Sequence, residues 1–269
     1  MKQLPDATRH LAEAEAEEVF GWILDGEADD DAIARFLVDM SARSETSEEI
    51  AGAARALRHR MIPIAAPEGT VDCCGTGGDG LHTYNISTAV AFVSAACGVP
   101  MAKHGNRASS SKCGAADVLE ALDVNLDMPR QALEEALGEI GFAFLMAPKH
   151  HSSMKHVAAV RKKLGRRTIF NLIGPLANPA STKKQLIGVF DKSYVHTMAK
   201  ALKTLGTESA WVVHGQDGMD EITVTGKTIA ASLHNNTIDD FELTPEQFGL
   251  NVYTPEELKG GDAQTNASA

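Results

Sequence analysis

The chain reads as an α/β protein, with a small all-helical N-terminal domain followed by a larger α/β domain built on a mainly parallel central sheet. Through residues 1–66 apolar side chains recur at helical spacing only. After Pro67 short apolar runs alternate with helical stripes, the rhythm of strands joined by crossover helices, which gives a largely parallel sheet. A hydrophobic content of 43% over 269 residues is enough for a sizeable core. The division predicted is 1–66 for the helical domain, joined by helices from the 110–165 region, and 67–269 for the α/β domain.

In the first part, Ala12, Ala16, Val19, Phe20, Ile23 and Leu24 form one helical face that ends at Gly26. Ile33, Phe36, Leu37 and Met40 form the next, after Asp29, Asp30 and Asp31, whose charge suits a helix N-terminus. Ile50, Ala54, Leu57 and Met61 form a third, with Thr46 or Ser47 as its cap. In the second part, strands are predicted at residues 70–74, 99–102, 142–146, 186–190 and 210–214. Helices are predicted at 87–97, 116–122, 130–140 and 194–205, with a basic amphipathic helix at 151–164.

Charge and cysteine usage narrow the function classes. Twenty-five basic against 36 acidic residues give a net charge of −11. That disfavours nucleic acid, whose non-specific binding rests on Lys and Arg, and it disfavours an anionic membrane surface. A local basic site for a small anion is still allowed, because bulk charge is screened over roughly 8–10 Å. Cys73, Cys74, Cys97 and Cys113 form no Cys-x-x-Cys pair, so zinc is not indicated and the adjacent pair reads as buried small hydrophobes. The N-terminus has no apolar signal core, and the run from Ala89 to Ala102 is too short to span a bilayer. A cytoplasmic setting is the expectation.

Gly75-Thr76-Gly77-Gly78-Asp79-Gly80 follows the first strand and contains G-x-G-x-x-G. A dinucleotide fold would need an acidic residue about 20 positions on. None occurs between Asp79 and Asp117. No Lys-Ser/Thr pair closes a Walker loop either. The loop can still present backbone N–H groups to a phosphate, with the helix start at Asn85, Ser87 and Thr88 beside it. Taken alone, an ordinary glycine turn with a Ser/Thr cap explains it equally well. Lys103-His104-Gly105-Asn106-Arg107 and Ser109-Ser110-Ser111-Lys112 follow the next strand, so both loops fall at one sheet edge.

The sequence continues through Ala116-Asp117-Val118-Leu119-Glu120-Ala121-Leu122, Arg167-Thr168-Ile169-Phe170-Asn171, Gly174-Pro175-Leu176-Ala177-Asn178-Pro179 and Val213-His214-Gly215, then Gly218-Met219-Asp220-Glu221-Ile222. With the two loops, this ordered set resembles the anthranilate phosphoribosyltransferase family, of the nucleoside phosphorylase/phosphoribosyltransferase fold. The similarity covers nearly the whole chain. It implies that phosphoribosyl pyrophosphate is surrounded by Gly75, Gly78, Asp79, Thr83, Asn85, Ile86, Ser87 and Thr88. The same set continues with Lys103, His104, Gly105, Asn106, Arg107, Ala108, Ser109, Ser110, Ser111 and Ala115. It implies that Gly75, Asn106 and Arg161 contact anthranilate, and that Ser87, Asp220 and Glu221 bind Mg2+. Oxygen donors of this kind suit magnesium, although an isolated Asp-Glu pair is more often a solvated turn. No protein nucleophile is needed, with Lys103 lending electrostatic help to the departing diphosphate. A homodimer through the helical domain is implied as well.

Two departures stand out. Ala115 replaces the family's usual Ser, removing one hydroxyl contact of about 0.5–1.5 kcal/mol. Members of the family continue past the region of Gly260-Gly261-Asp262, so the resemblance implies a missing C-terminal segment after Ala269. The alternatives are a pyrimidine nucleoside phosphorylase-like enzyme, which would use phosphate as nucleophile, or a non-catalytic binding protein of the same fold. Gly105-Asn106-Arg107 and Asp220-Glu221 favour the anthranilate phosphoribosyltransferase reading over the nucleoside phosphorylase one.

Overall fold

The computed structural model describes residues 1–108 and 112–269. Helices α1 (Glu13–Leu24), α2 (Asp30–Arg43) and α3 (Ser47–Arg58) bury most of the predicted stripes, with Phe20, Ile33, Leu37, Met40 and Ile50 almost fully enclosed, whereas Ala12 and Met61 fall outside the helices, Ala12 exposed and Met61 half-buried. Their ends are set by local chemistry. The Asp29 side chain accepts from the N–H groups of Asp31 and Ala32 at the start of α2. Thr46 and Glu49 cap α3 reciprocally: Glu49 N–H donates to Thr46 Oγ1 at 3.2 Å, and Thr46 N–H to Glu49 Oε2 at 2.9 Å. Of the two candidate caps, Thr46 is therefore the one used. Glu49 is fully buried, where it also accepts from Leu11 N–H at 2.8 Å and pairs with Arg43 at 2.5 Å.

The sheet has the order β3-β2-β1-β4-β5-β6-β7. Its strands are β1 (Val71–Gly75), β2 (Met101–Gly105), β3 (Phe142–Met146), β4 (Lys184–Gly188), β5 (Ser209–Gly215), β6 (Thr228–His234) and β7 (Thr237–Leu243). The first five run parallel, and β5–β6 and β6–β7 are antiparallel. The sheet is thus mainly parallel, as predicted. The β6–β7 hairpin was not anticipated. Its turn is Asn235-Asn236, both with positive φ (48° and 61°), the conformation a tight hairpin of this twist requires.

Three predicted elements shift. The strand placed at 186–190 runs 184–188. The strand placed at 99–102 runs 101–105, so Lys103, His104 and Gly105 lie in β2 rather than in a loop after it. A lysine and a histidine do not read as a buried strand, yet Lys103 is 1% exposed and His104 6%. The basic helix placed at 151–164 begins at Lys155: α7 (Ala147–His150) and a 3-10 turn at Ser152–Met154 precede α8 (Lys155–Leu164).

One core joins the two parts. It runs from α1–α3 through α8, α9 (Ile169–Ile173) and α10 (Tyr194–Thr204) to Cys74, Ile187, Val212 and Ala231 on the sheet. On the opposite face, α4 (Ile86–Ala96) packs against β1, β2 and β3, with Phe92 stacked on Phe142 at 4.6 Å. On α4, Thr88 and Ala91 are buried, and Val93 is 64% exposed. Cys73 and Cys74 are buried as expected, as is Cys113, while Cys97 is exposed. Among the described residues no helix is long and apolar enough to cross a membrane.

Candidate active site

The chain runs β1→β2→β3 in one direction, then places β4 on the other side of β1. Ligands of open α/β sheets bind outside the carboxyl ends of the strands at such a reversal. Here β1 and β4 both end in glycine, Gly75 opposite Gly188. The reason is Asp220, carried on the long connection after β5. A Cβ on Gly188 would lie 1.5 Å from the Asp220 carbonyl oxygen, and a Cβ on Gly75 would lie 2.2 Å from Asp220 Oδ2. The bare strand ends let this connection lie across them. Gly77 N–H then donates to Asp220 Oδ2 at 2.7 Å, tying the glycine loop to the carboxylate. Gly77, Gly78 and Gly80 all have positive φ, a conformation open to glycine that lets the loop turn this tightly.

Asp220 and Glu221 keep part of their surface but are hemmed in by protein. Burial, then the neighbouring Asp79, raises Asp220 to about 6. Burial, then Asp220 itself, raises Glu221 to about 8, although Lys103 and the Ser87 N–H work the other way. Lys103 is the nearby balancing charge. Its Nζ donates to the Cys73 carbonyl at 2.8 Å and to Ser87 Oγ at 3.0 Å. The lysine therefore anchors Ser87 from beneath.

Above this floor opens a cleft of about 670 Å³. It gathers Gly75, Gly78, Ser87, Lys103, His104, Gly105, Asn106, Arg107, Ala108, Ala115 and Arg161 from the sequence-derived set. Asp79, Thr83, Asn85, Ile86, Thr88, Asp220 and Glu221 do not line it. Ser109, Ser110 and Ser111 lie outside the described residues. Arg107 is engaged by Glu120 and Asp117, at 2.7 and 3.1 Å, so its guanidinium is held at the rim. Asp117 also accepts from the N–H groups of Ala108 and Gly114, closing the base of the loop between them. Asn85 faces away from the cleft, donating to the Cys113 carbonyl and accepting from Asn266 Nδ2 at 2.9 Å. Thr83 is bridged to Lys259.

Arg161, on α8, also lines the cleft, 5.7 Å from the centre of the Phe170 ring. Burial lowers its pKa, which favours a carboxylate partner there. Phe170, Gly174 and Pro175, quoted in the sequence only as parts of motifs, and Pro148 and His151, not singled out there, also line the cleft. His104 and His151 stack edge to face at 5.1 Å. Burial lowers them to about 3 and about 4, so both imidazoles are neutral near pH 7. The adjacent pair His150-His151 was the available signal, but nothing local marks which of the two faces a cavity.

The donor set fits Mg2+. Ser87, Asp220 and Glu221 supply oxygen atoms, and the raised carboxyl pKa values mark a site short of positive charge. Among the described residues no group of three or more His, Cys, Asp or Glu is arranged to hold a metal ion. A cation here would take its remaining ligands from substrate phosphates and water.

Both parts of the chain match known proteins. A family model described as the glycosyl transferase family a/b domain matches residues 67–269, and one for that family's helical bundle domain matches residues 2–61. The anthranilate phosphoribosyltransferase of Erythrobacter litoralis is 54% identical over 269 residues, all of this chain and 82% of its own length. The chain belongs to the anthranilate phosphoribosyltransferase family. The family's Novosphingobium aromaticivorans member is 53% identical over the same 269 residues, again 82% of its length. The crystal structure of the Thermus thermophilus member superposes with a TM-score of 0.93 at 43% identity, covering all of this chain and 80% of that one. The Saccharomyces cerevisiae member, in complex with PRPP and Mg, superposes with a TM-score of 0.86 at 29% identity, covering 98% of this chain and 77% of that one.

Proposed function

We propose that this chain transfers the 5-phosphoribosyl group of phosphoribosyl pyrophosphate to the amine of anthranilate, giving N-(5-phosphoribosyl)anthranilate and diphosphate, a step of tryptophan biosynthesis. The observation that carries the proposal is one cleft lined both by the glycine loop from Gly75 to Gly78, which is tied to Asp220 behind the lining, and by Arg161. That arrangement separates an anionic, cation-assisted half from a half built for an aromatic carboxylate.

The reaction needs positioning and charge stabilisation rather than a protein nucleophile. The bond from ribose C1 to the diphosphate oxygen breaks, and its electron pair leaves with diphosphate. The amine lone pair forms the new C1–N bond, and one amine proton is released. Gly78 of the glycine loop and Ser87 at the start of α4, both of which line the cleft, face the diphosphate. Ser87, Asp220 and Glu221 would hold Mg2+, which when bound supplies positive charge to the leaving group. Lys103 keeps Ser87 in place and balances the carboxylates. Asn106 and Arg161 orient the anthranilate carboxylate, and the neutral imidazoles of His104 and His151 shield the acceptor from bulk water. A homodimer, a cytoplasmic setting and the division at residues 1–66 and 67–269 belong to the same proposal.

The test is loss of anthranilate fluorescence when phosphoribosyl pyrophosphate and Mg2+ are added to the purified chain. Magnesium-dependent turnover is expected. A folded chain that binds phosphoribosyl pyrophosphate but leaves anthranilate unchanged would overturn the reading.

A further inference from the structure

The connection between β5 and β6, residues 216–227, delivers Asp220 and Glu221 yet contains no helix or strand. A stretch of that kind does not hold two carboxylates beneath a glycine loop without ties. The ties converge on one side chain. Asp217 Oδ1 accepts from Met219 N–H at 3.0 Å. Asp217 Oδ2 accepts from Thr223 Oγ1 at 2.7 Å and from Thr225 Oγ1 at 2.5 Å. One carboxylate thus grips the residue before Asp220 and, two residues after Glu221, the return limb.

Both gripped points are themselves fixed to the sheet. The Met219 carbonyl accepts from Gly215 N–H at 2.8 Å, and the Met219 side chain is buried. Thr223 is buried, and its N–H donates to Thr228 Oγ1 at 3.0 Å, at the first residue of β6. Gly215 is required beside this knot, because a Cβ there would meet Asp217 Oδ1 at 2.5 Å and Thr223 Cβ at 3.1 Å. The turn at Gly218, between Asp217 and the Met219 it grips, takes φ +94°, a conformation open to glycine that side-chain-bearing residues rarely adopt.

We propose that Asp217 is a positioning residue for the metal-binding carboxylates, a buckle that presents Asp220 and Glu221 to the cation. The inference rests on the reading of those two as metal ligands. Groups that orient metal ligands typically contribute 10–100-fold to metal affinity.

The test uses the full chain with phosphoribosyl pyrophosphate and Mn2+ as the probe, and reads free Mn2+ by electron paramagnetic resonance. Thermal melting is recorded on the same samples. Asp217→Ala is expected to weaken Mn2+ binding in the presence of phosphoribosyl pyrophosphate about tenfold, at a temperature well below its melting point. Asp217→Asn, which keeps an oxygen for Met219 N–H but cannot accept from both threonines, is expected to fall between this variant and the parent, and it serves if Asp217→Ala does not fold. Parent-like Mn2+ affinity with only a lowered melting temperature would reduce Asp217 to a structural role and overturn the proposal. Asp220→Asn and Glu221→Gln run alongside: if they weaken Mn2+ binding while the Asp217 variants do not, the buckle alone is wrong. If neither does, the metal reading falls and takes the buckle with it.

Discussion

Substituting Gly188 tests the geometry that assembles the site, because Gly188 is not among the residues that line the cleft. A Cβ at this position would lie 1.5 Å from the Asp220 carbonyl oxygen, 2.3 Å from its carbon and 3.1 Å from its Cα. All three are backbone atoms, so no rotamer change relieves the clash. To reach ordinary contact the Asp220 backbone must retreat by about 2 Å. Crowding of this kind typically costs the fold about 1–3 kcal/mol, a cost that a protein of this size tolerates. The consequence for function is larger. Asp220 is hydrogen-bonded to Gly77 and adjoins Glu221, so a displaced backbone moves both carboxylates away from the glycine loop. A misplacement of about 1 Å can lower turnover on the order of 100-fold. The expected result for Gly188→Ala is therefore a folded protein by circular dichroism, with kcat reduced about 100-fold and a higher Mg2+ requirement in the fluorescence assay. Parent values of kcat and of half-saturating Mg2+ would refute the claim that the glycine pair at the strand ends exists to seat Asp220.

Other outcomes are expected elsewhere in the molecule. Arg161→Ala raises KM for anthranilate by about 1.5–3 kcal/mol of lost charged hydrogen bonding, and more than KM for phosphoribosyl pyrophosphate; steady-state kinetics in both substrates check this, and the reverse pattern removes Arg161 from the acceptor site. Arg161→Lys does not restore the parent, since an ammonium lacks the planar fork. Glu49→Ala takes the carboxylate from Arg43, which keeps the carbonyls of Ala7, Arg9 and Ser44, and the acceptor from the Leu11 and Thr46 N–H groups, so it destabilises by about 3–5 kcal/mol and lowers Tm on the order of 10 °C. A calorimetric Tm within a degree or two of the parent would contradict that assignment. Burial holds His104 near about 3 and His151 near about 4, whereas an unfolded histidine titrates near ~6.5. The unfolded chain therefore binds more protons between those values, and the stability these residues permit above pH ~6.5 is lost progressively as pH falls toward 4. His151→Phe should flatten the decline of Tm between pH 6.5 and 4.5; an unchanged slope would show that His151 does not titrate against the fold.

Much of the architecture was legible because it is written in short-range patterns. The stripes of α1–α3 follow from side-chain spacing alone, and Thr46 with Glu49 announces its own cap. The strand–helix alternation after Pro67 predicted a mainly parallel sheet, since crossover connections leave few other arrangements. The glycine loop and the residues from Asn106 to Ala108 were visible because close approach to an anion demands glycine, small polar groups and cations in adjacent positions.

Other features depend on neighbours far along the chain. Lys103 looked like a loop cation, but it lies in a buried strand because Cys73 and Ser87 receive its ammonium there. No local pattern records a partner 30 residues away. Nothing in the sequence placed Asp220 beneath Gly77, 143 positions earlier; the register of β1, β4 and β5 does so, with two glycines clearing the way. His151 reads like any histidine until β2 brings His104 against it. The sequence by itself determined which elements form and which residue types are suited to hold an anion and a cation, because propensity, capping and spacing act within a few residues. The tertiary structure alone decided which of those residues meet, how deeply they are buried and so which of them carry charge, because strand register and desolvation are properties of the assembled sheet.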